Sequence, residues 1–250
     1  TEGNIKLDKF KRLIYNGMMN IQHRGQDGYG MIILGDKSGK PNIIKRPGLL
    51  PSYEDAFETV GLERLFLGHM RYSTNTTTEK DGFNSTNSIQ PIELNRSRQM
   101  YLAHNGNLPN LARNIKRLGL ESYYTVGTSD TFLFKAIWDK MLDERNQEIS
   151  SDFFFDNVIE YIQLVVKSVG GAFSCVLTYS EEVDELESPD SGTTTTSGVF
   201  SSFDSSLSHS SSSSSECESS VNRDYYLVGF RDRFGYKPLS IGYIAGNYCF

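Results

Sequence analysis

The sequence contains no apolar run that approaches the roughly 20 residues needed to span a bilayer. Its start, Thr1 to Lys6, is polar and lacks the apolar core of a signal peptide. Basic residues are outnumbered, with 25 lysines and arginines against 31 aspartates and glutamates, so no electrostatic footprint for a nucleic-acid backbone exists. We therefore expect a soluble, cytoplasmic protein that binds neither membrane nor nucleic acid.

Cysteine and histidine are both scarce. The three cysteines are odd in number and lie in unrelated contexts, so they indicate no disulfide framework. The four histidines are scattered without the spacing of a metal site: His23, His69, His104 and His209. We expect no metal in this chain.

The composition changes abruptly between Ser180 and Asn222. This segment has an acidic start, a threonine run and the serine tract Ser210 to Ser215. It has too little apolar surface to offset its ordering entropy, so we predict a disordered insertion at about 181–222. The segments on either side, Ala172 to Tyr179 and Tyr225 to Arg231, are predicted to be hairpin partners in one sheet.

Outside this segment, the 250-residue chain alternates between helical and strand patterns. The predicted helices are Asp8 to Ile21 with Asp8 as its cap, Ser52 to Val60, Pro109 to Leu118 ended by Gly119, Ser129 or Asp130 to Leu142, and Asp152 to Val169. The other predicted strands are Gly30 to Leu34 paired with Asn42 to Lys45, Leu65 to Tyr72, and Met100 to His104. Ser73 to Pro91 is predicted to be a mobile loop. The pattern alone indicates a mixed α and β protein.

The strongest chemical signal is the stretch Tyr101 to Leu108. An apolar run ends there in Asn105-Gly106, which places a carboxamide and a glycine N–H side by side. Such donors can hold the negative charge that develops in acyl transfer. Asn-Gly is also a favoured tight turn, so a simple turn between strands is the alternative interpretation.

Four further segments accompany this stretch in a fixed order. Together the five closely resemble the class II glutamine amidotransferase domain of amidophosphoribosyltransferases, from about Phe10 to Phe250. The glucosamine-6-phosphate synthase branch is less similar, because it has tyrosines where this chain has His23 and Gln26. The four segments are Gln22-His23-Arg24-Gly25-Gln26-Asp27, Gly68 to Thr74, Gly127 to Thr131, and Phe230 to Leu239.

The resemblance implies an α+β fold of four αββα layers, the N-terminal-nucleophile hydrolase fold, with two stacked and mostly antiparallel sheets. Residues 1–250 would form a single type 2 glutamine amidotransferase domain. Its function would be the glutaminase half of an enzyme that supplies ammonia to phosphoribosyl pyrophosphate (PRPP) in the first step of de novo purine synthesis. A homo-oligomer fits the family.

The resemblance also implies a second domain. A C-terminal phosphoribosyltransferase domain, which this chain does not contain, would bind PRPP and is expected to use Mg²⁺. No organic cofactor is implied for the glutaminase domain, whose partner is glutamine.

The resemblance assigns the site residue by residue. Asn105 and Gly106 supply the oxyanion donors. Arg71 holds the α-carboxylate of glutamine, since a guanidinium offers the planar fork that matches it. Asp130 holds the α-ammonium and also caps a helix.

Other residues have accessory roles in the resemblance. Tyr72 and Thr74 belong to a loop that closes over the substrate. Arg24 and Gly25 are supporting residues, and Arg24 orients the nucleophile strand, pairs with Asp27 or has a structural role. The family mechanism needs no histidine, so His23, His69 and His104 are interpreted as hydrogen-bonded core residues. Arg233 and Lys237 replace a proline and an arginine of the family pattern.

The family's nucleophile is an N-terminal cysteine, whereas this chain begins with Thr1. Three explanations are open: a catalytic strand precedes Thr1 in the gene product, the chain is a non-catalytic glutamine-binding relative, or Thr1 is itself the nucleophile. The polar stretch Glu2 to Lys9 is interpreted as the loop after a missing strand, which favours the first. We expect the fragment itself to be inactive; another class II amidotransferase is the remaining alternative.

Overall fold

The computed structural model describes residues 2–35, 39–57, 64–72, 88–125, 128–145, 154–183, 222–244 and 247–250, with side chains from Asp8 onward. Its helices are α1 (Glu2–Ile21), α2 (Tyr53–Phe57), α3 (Leu111–Leu118), α4 (Phe132–Glu144) and α5 (Phe154–Ser168), and a 3-10 turn (Gln22–Arg24) follows α1. Its strands are β1 (Gly28–Leu34), β2 (Asn42–Pro47), β3 (Leu65–Arg71), β4 (Ile92–Asn95), β5 (Met100–Asn107), β6 (Ala172–Glu182), β7 (Arg223–Arg231), β8 (Gly242–Ile244) and β9 (Asn247–Cys249).

The strands form antiparallel sheets. Sheet A has the order β2-β1-β3, sheet B has the order β4-β5-β6-β7, and β8 pairs with β9. Every one of these neighbouring pairs is antiparallel. The predicted mixture of helices with antiparallel sheets is therefore confirmed. Among the described helices, none has the length and apolar character that a membrane crossing requires.

Strand β1 is buried on both faces because its side chains alternate between two apolar clusters. Met31 and its alternate neighbours pack against α1 and α2. Ile32 and Leu34 point the other way and pack with Tyr101 and Ala103 of sheet B. A third and larger cluster joins the opposite face of sheet B to α3, α4 and α5. Each fully buried apolar side chain contributes about 1.5–3 kcal/mol to these contacts.

The beginning of the chain differs from the sequence-based prediction. Helix α1 starts at Glu2, so the loop expected over the polar stretch after Thr1 is wrong. Asp8 lies inside the helix rather than at its cap, and its carboxylate accepts hydrogen bonds from Arg12 Nε at 2.8 Å and from the Tyr53 hydroxyl at 2.6 Å. A helix needs no strand-like apolar run, and an ion pair four residues apart supports it.

Most other element predictions agree with the structure. Strands β6 and β7 are hairpin partners, and Gly119 ends α3 in the left-handed conformation with φ 61°. Strand β4 was not predicted, because four residues give too short a pattern. The predicted loop residues 73–87, which include Thr74, lie outside the described residues, as do insertion residues 184–221.

Candidate functional site

Strand β5 carries the Asn-Gly pair and does not turn there. Asn105, Gly106 and Asn107 continue the ladder opposite Ser174, Phe173 and Ala172 of β6, so the tight-turn interpretation is wrong. A Cβ on Gly106 would lie 2.3 Å from the Ala172 carbonyl oxygen and 2.6 Å from His104 Nε2. Only glycine fits between β6 and the imidazole.

The alternation of β5 decides which way each side chain points. Tyr101 and Ala103 face sheet A, so Asn105 lies on that same face and is exposed there. His104 faces the other way, is only 3% exposed, and its ring lies 5.0 Å from the ring of Phe134 on α4. Asn105 therefore points into the space between the sheets, while His104 lies beneath it.

Arg71 ends β3 on the face that β3 turns toward sheet B, because Leu65 and Leu67 lie on that face. The segment after α1 holds this strand end. The Asp27 amide donates to the Arg71 carbonyl at 3.1 Å, and a Cβ on Gly25 would lie 2.5 Å from the Met70 carbonyl oxygen. Gly25 thus permits the turn to lie against β3.

Asp130 does not cap a helix, which corrects the prediction. Helix α4 begins two residues later, at Phe132. The Asp130 carboxylate instead accepts a hydrogen bond from the Leu108 amide at 3.2 Å and one from the Ser129 hydroxyl at 3.4 Å. Leu108 follows the last residue of β5, so its amide would otherwise lack a ladder partner.

A single cleft of about 1960 Å³ collects most of the predicted site residues, which are Arg24, Arg71, Tyr72, Asn105, Gly106 and Asp130. Its volume exceeds the roughly 300–1,000 Å³ of a typical small-molecule pocket, so one amino acid would occupy only part of it. Gly25 is buried and is not among the lining residues. The predicted loop residue Thr74 lies outside the described part of the chain.

Two histidines line the cleft, of which His104 is buried and His69 is half-buried. Burial is the first cause that lowers the pKa of both His69 and His104 to about 4, and the charge of His104 lowers the pKa of His69 further. Asp130 opposes this shift at His104, and Lys237 reinforces it. Both rings are therefore neutral at pH 7, and His104, which is buried with Nδ1 3.3 Å from the Thr131 hydroxyl, is the hydrogen-bonded core residue that was predicted. His23 is exposed, so its assignment to the core is wrong.

Sequence reasoning missed residues that hold this part of the cleft. Gln90 Oε1 accepts a hydrogen bond of 2.6 Å from the His104 amide, where β4 no longer pairs with β5. Lys237 lines the cleft, and its positive charge acts on His104. The only sequence signal for Lys237 was its departure from the family pattern.

Comparison with known proteins supports the motif analysis. No protein-family model matches the chain. The amidophosphoribosyltransferase of Escherichia coli is 32% identical over 169 residues, which are 65% of this chain and 31% of that protein. The amidophosphoribosyltransferase of Schizosaccharomyces pombe is 30% identical over 168 residues, which are 65% of this chain and 29% of that protein. The chain thus spans less than a third of either relative.

A solved structure of glutamine phosphoribosylpyrophosphate amidotransferase from B. subtilis matches this chain at 20% identity and a TM-score of 0.45. The match covers 70% of this chain and 34% of the chain in that structure. The relationship to this family rests on the sequence matches. The resemblance that the five motifs predicted is confirmed: this chain is homologous to amidophosphoribosyltransferases over about a third of their length.

Proposed function

We propose that this chain is the glutamine-binding and glutaminase part of an amidophosphoribosyltransferase. The observation that carries the proposal is that Arg71, Asn105, Gly106 and Asp130, from separate parts of the sequence, line one cleft. A free amino acid has one carboxylate and one ammonium, and a guanidinium and a carboxylate match those charges. The side-chain amide of glutamine would then lie beside Asn105 and Gly106.

In the proposed reaction, glutamine and water give glutamate and ammonia. A nucleophile attacks the side-chain amide carbon, and Asn105 and Gly106 donate hydrogen bonds to the oxyanion that forms. The resemblance makes this nucleophile an N-terminal cysteine of the full-length protein. Tyr72 and Thr74 would help to cover the bound glutamine. The ammonia would displace pyrophosphate from PRPP in the transferase domain, which gives phosphoribosylamine for purine synthesis.

The proposal includes the N-terminal-nucleophile hydrolase arrangement of layers. The order would be α1 and α2, sheet A, sheet B, and then α3, α4 and α5. Three apolar clusters support it, because each joins two successive layers of this order. The Ser/Thr-rich segment would interrupt the β6–β7 hairpin of this one domain without dividing it.

Several features of the whole enzyme belong to the same proposal. The Mg²⁺ and the PRPP would be bound by the transferase domain, and glutamine alone by this domain. A homo-oligomer and a cytoplasmic location are predictions from the family resemblance and the sequence. None of them is needed for the binding test below.

Glutamine binding tests the proposal directly on this chain. Arg71→Ala leaves the α-carboxylate without its guanidinium, and we expect glutamine affinity to fall about 10- to 100-fold, as for a charged hydrogen bond. Asn105→Ala is expected to leave affinity within about twofold, because its carboxamide acts on the transition state. Isothermal titration calorimetry measures both. Arg113→Ala, at an exposed site on α3, is the matched control.

Turnover tests the role of Asn105 in the full-length gene product. Loss of one oxyanion donor slows an enzyme by about 10²–10³-fold, so glutamate release by Asn105→Ala should fall by that amount. Equal effects of Asn105→Ala on binding and rate would contradict its role. Absence of cysteine-dependent glutamate release from the full-length wild type would favour the non-catalytic relative instead.

A further inference from the structure

A line of polar contacts, buried at its β5 end and part-buried at its other end, runs along the cleft wall from β5 to Asp130. His104 Nδ1 lies 3.3 Å from the hydroxyl of Thr131, and that hydroxyl lies 3.2 Å from the hydroxyl of Ser129. The Ser129 hydroxyl in turn donates to the Asp130 carboxylate at 3.4 Å. Thr131 is only 1% exposed, so its contact with His104 is shielded from water.

The same two segments are joined a second time. The Leu108 amide, just past the end of β5, donates to the other carboxylate oxygen of Asp130 at 3.2 Å. The residues that would face the substrate amide, Asn105 and Gly106, lie between the two attachment points, His104 and Leu108. The turn before α4 is therefore fastened to β5 on both sides of the proposed oxyanion pair.

We infer that Thr131 is a positioning residue, which holds the Asp130 carboxylate at a fixed distance from Asn105 and Gly106 through its contacts with His104 and Ser129. This inference rests on the proposed function. Thr131 does not line the cleft and would not touch the ligand. It acts on one end of the substrate only, the α-ammonium, because its contacts lead to Asp130 and not to Arg71.

That asymmetry supplies a test that general damage to the fold would not imitate. Glutaramate is glutamine with its α-ammonium replaced by hydrogen, so it keeps the carboxylate and the amide but has nothing for Asp130 to bind. Substitution of a residue that positions Asp130 should lower the affinity for glutamine and not the affinity for glutaramate. Substitution of a residue that merely supports the fold should lower both affinities equally.

The experiment compares the affinities of L-glutamine and glutaramate for the whole chain by saturation-transfer NMR titration. Thr131→Val keeps the shape of the side chain and removes the hydroxyl, and we expect it to weaken glutamine about tenfold while glutaramate stays within about twofold. Thr131→Ser restores the hydroxyl and should return glutamine affinity to within about twofold of wild type.

Two further variants complete the comparison. Ser129→Ala removes the middle hydroxyl and should give the same selective loss, which keeps the test usable if Thr131→Val does not fold. Thr178→Val is the matched control, since Thr178 is a fully buried threonine of β6 whose hydroxyl has no hydrogen-bond partner among the described residues. It should change neither affinity.

The outcomes separate the two proposals. Equal weakening of both ligands by Thr131→Val and Ser129→Ala, or unchanged glutamine affinity in both, would overturn the positioning role alone. A wild-type chain that binds no glutamine would overturn the proposed function and this inference with it.

Discussion

Gly25 lies where the turn after α1 meets the end of β3, next to the backbone of the proposed carboxylate-binding residue. A Cβ at this position would lie 2.5 Å from the Met70 carbonyl oxygen and 2.8 Å from the Arg71 carbonyl carbon. Both neighbours are backbone atoms of a paired strand, so they cannot move aside easily. Gly17, in the interior of α1, has nothing within 4 Å of the corresponding position.

These two glycines give opposite predictions for the same substitution. Gly25→Ala overpacks the contact with β3 and should lower the free energy of unfolding by about 1–3 kcal/mol. Gly17→Ala should raise it by about 0.5–1 kcal/mol, because alanine is the better helix former. Urea unfolding measures both. A Gly25→Ala chain as stable as wild type would show that the turn does not lie tightly against Arg71.

At the same scale, the site was predictable only in part. The motifs identified Arg71, Asn105 and Asp130 because their chemistry is visible in short stretches of sequence. The contacts that hold His104 were not visible, since Gln90 and Thr131 lie 14 and 27 residues away along the chain. No local periodicity connects such partners, and only the folded backbone brings them together.

Among the secondary-structure elements, the loop after β7 is the one most fully determined by a single side chain. Asp232 is buried, and its carboxylate accepts hydrogen bonds from the amides of Phe173, Phe234 and Gly235 at 2.8–3.1 Å. Burial opposes ionisation, but these backbone hydrogen bonds outweigh it and lower the pKa of Asp232. The loop that carries Lys237 is thereby fixed to the start of β6, opposite Gly106.

Removal of that carboxylate should loosen the loop. We expect Asp232→Ala to lower the free energy of unfolding by about 2–3 kcal/mol, because three backbone amides, of which that of Phe173 is buried, lose a charged acceptor. Hydrogen exchange should accelerate at the amides of Phe234 and Gly235. Asp224→Ala, at an exposed site on β7, is the matched control. Unchanged exchange at both amides would contradict the anchoring role of Asp232.

The elements that sequence predicted well are those with strong local signals. The left-handed Gly119 ended α3 as expected, and the long apolar runs gave β1 and β3. The extension of β5 through Asn105 and Gly106 was not predictable, because two turn-forming residues became strand only through pairing with β6. Tertiary pairing overrode local preference at the point where the site lies.

At the scale of the whole molecule, two neutral histidines, His69 and His104, make the free energy of unfolding depend on pH. His69 of sheet A interacts with the backbone of His104 in sheet B, and Nδ1 of His69 and Nε2 of His104 are buried without hydrogen-bond partners in the described part of the chain. Burial lowers both pKa values from 6.5 to about 4. Between these two pH values the unfolded chain binds protons that the folded chain excludes.

The sign of the effect follows from proton linkage. Stability rises with pH wherever the unfolded state binds more protons, so it should be lost as the pH falls from 6.5 toward 4. Each excluded proton contributes a slope of about 1.4 kcal/mol per pH unit, and two histidines give at most about twice that. The lowered pKa of Asp232 adds its own loss only below its unfolded value of 3.8.

Urea unfolding between pH 4.5 and 7.5 therefore isolates the histidines. In His69→Gln one titrating ring is gone, and the slope of unfolding free energy against pH near 5 should fall by about 1.4 kcal/mol per pH unit. His23→Gln changes an exposed histidine and serves as the control. His104 contributes to the lowered pKa of His69 by charge repulsion, whereas burial is the first cause of the lowered pKa of His104, which this variant keeps. If the slope of unfolding free energy against pH were the same in His69→Gln and in wild type, His69 would take up its proton in the folded chain. The contact between the two sheets would then be more hydrated than the packing indicates.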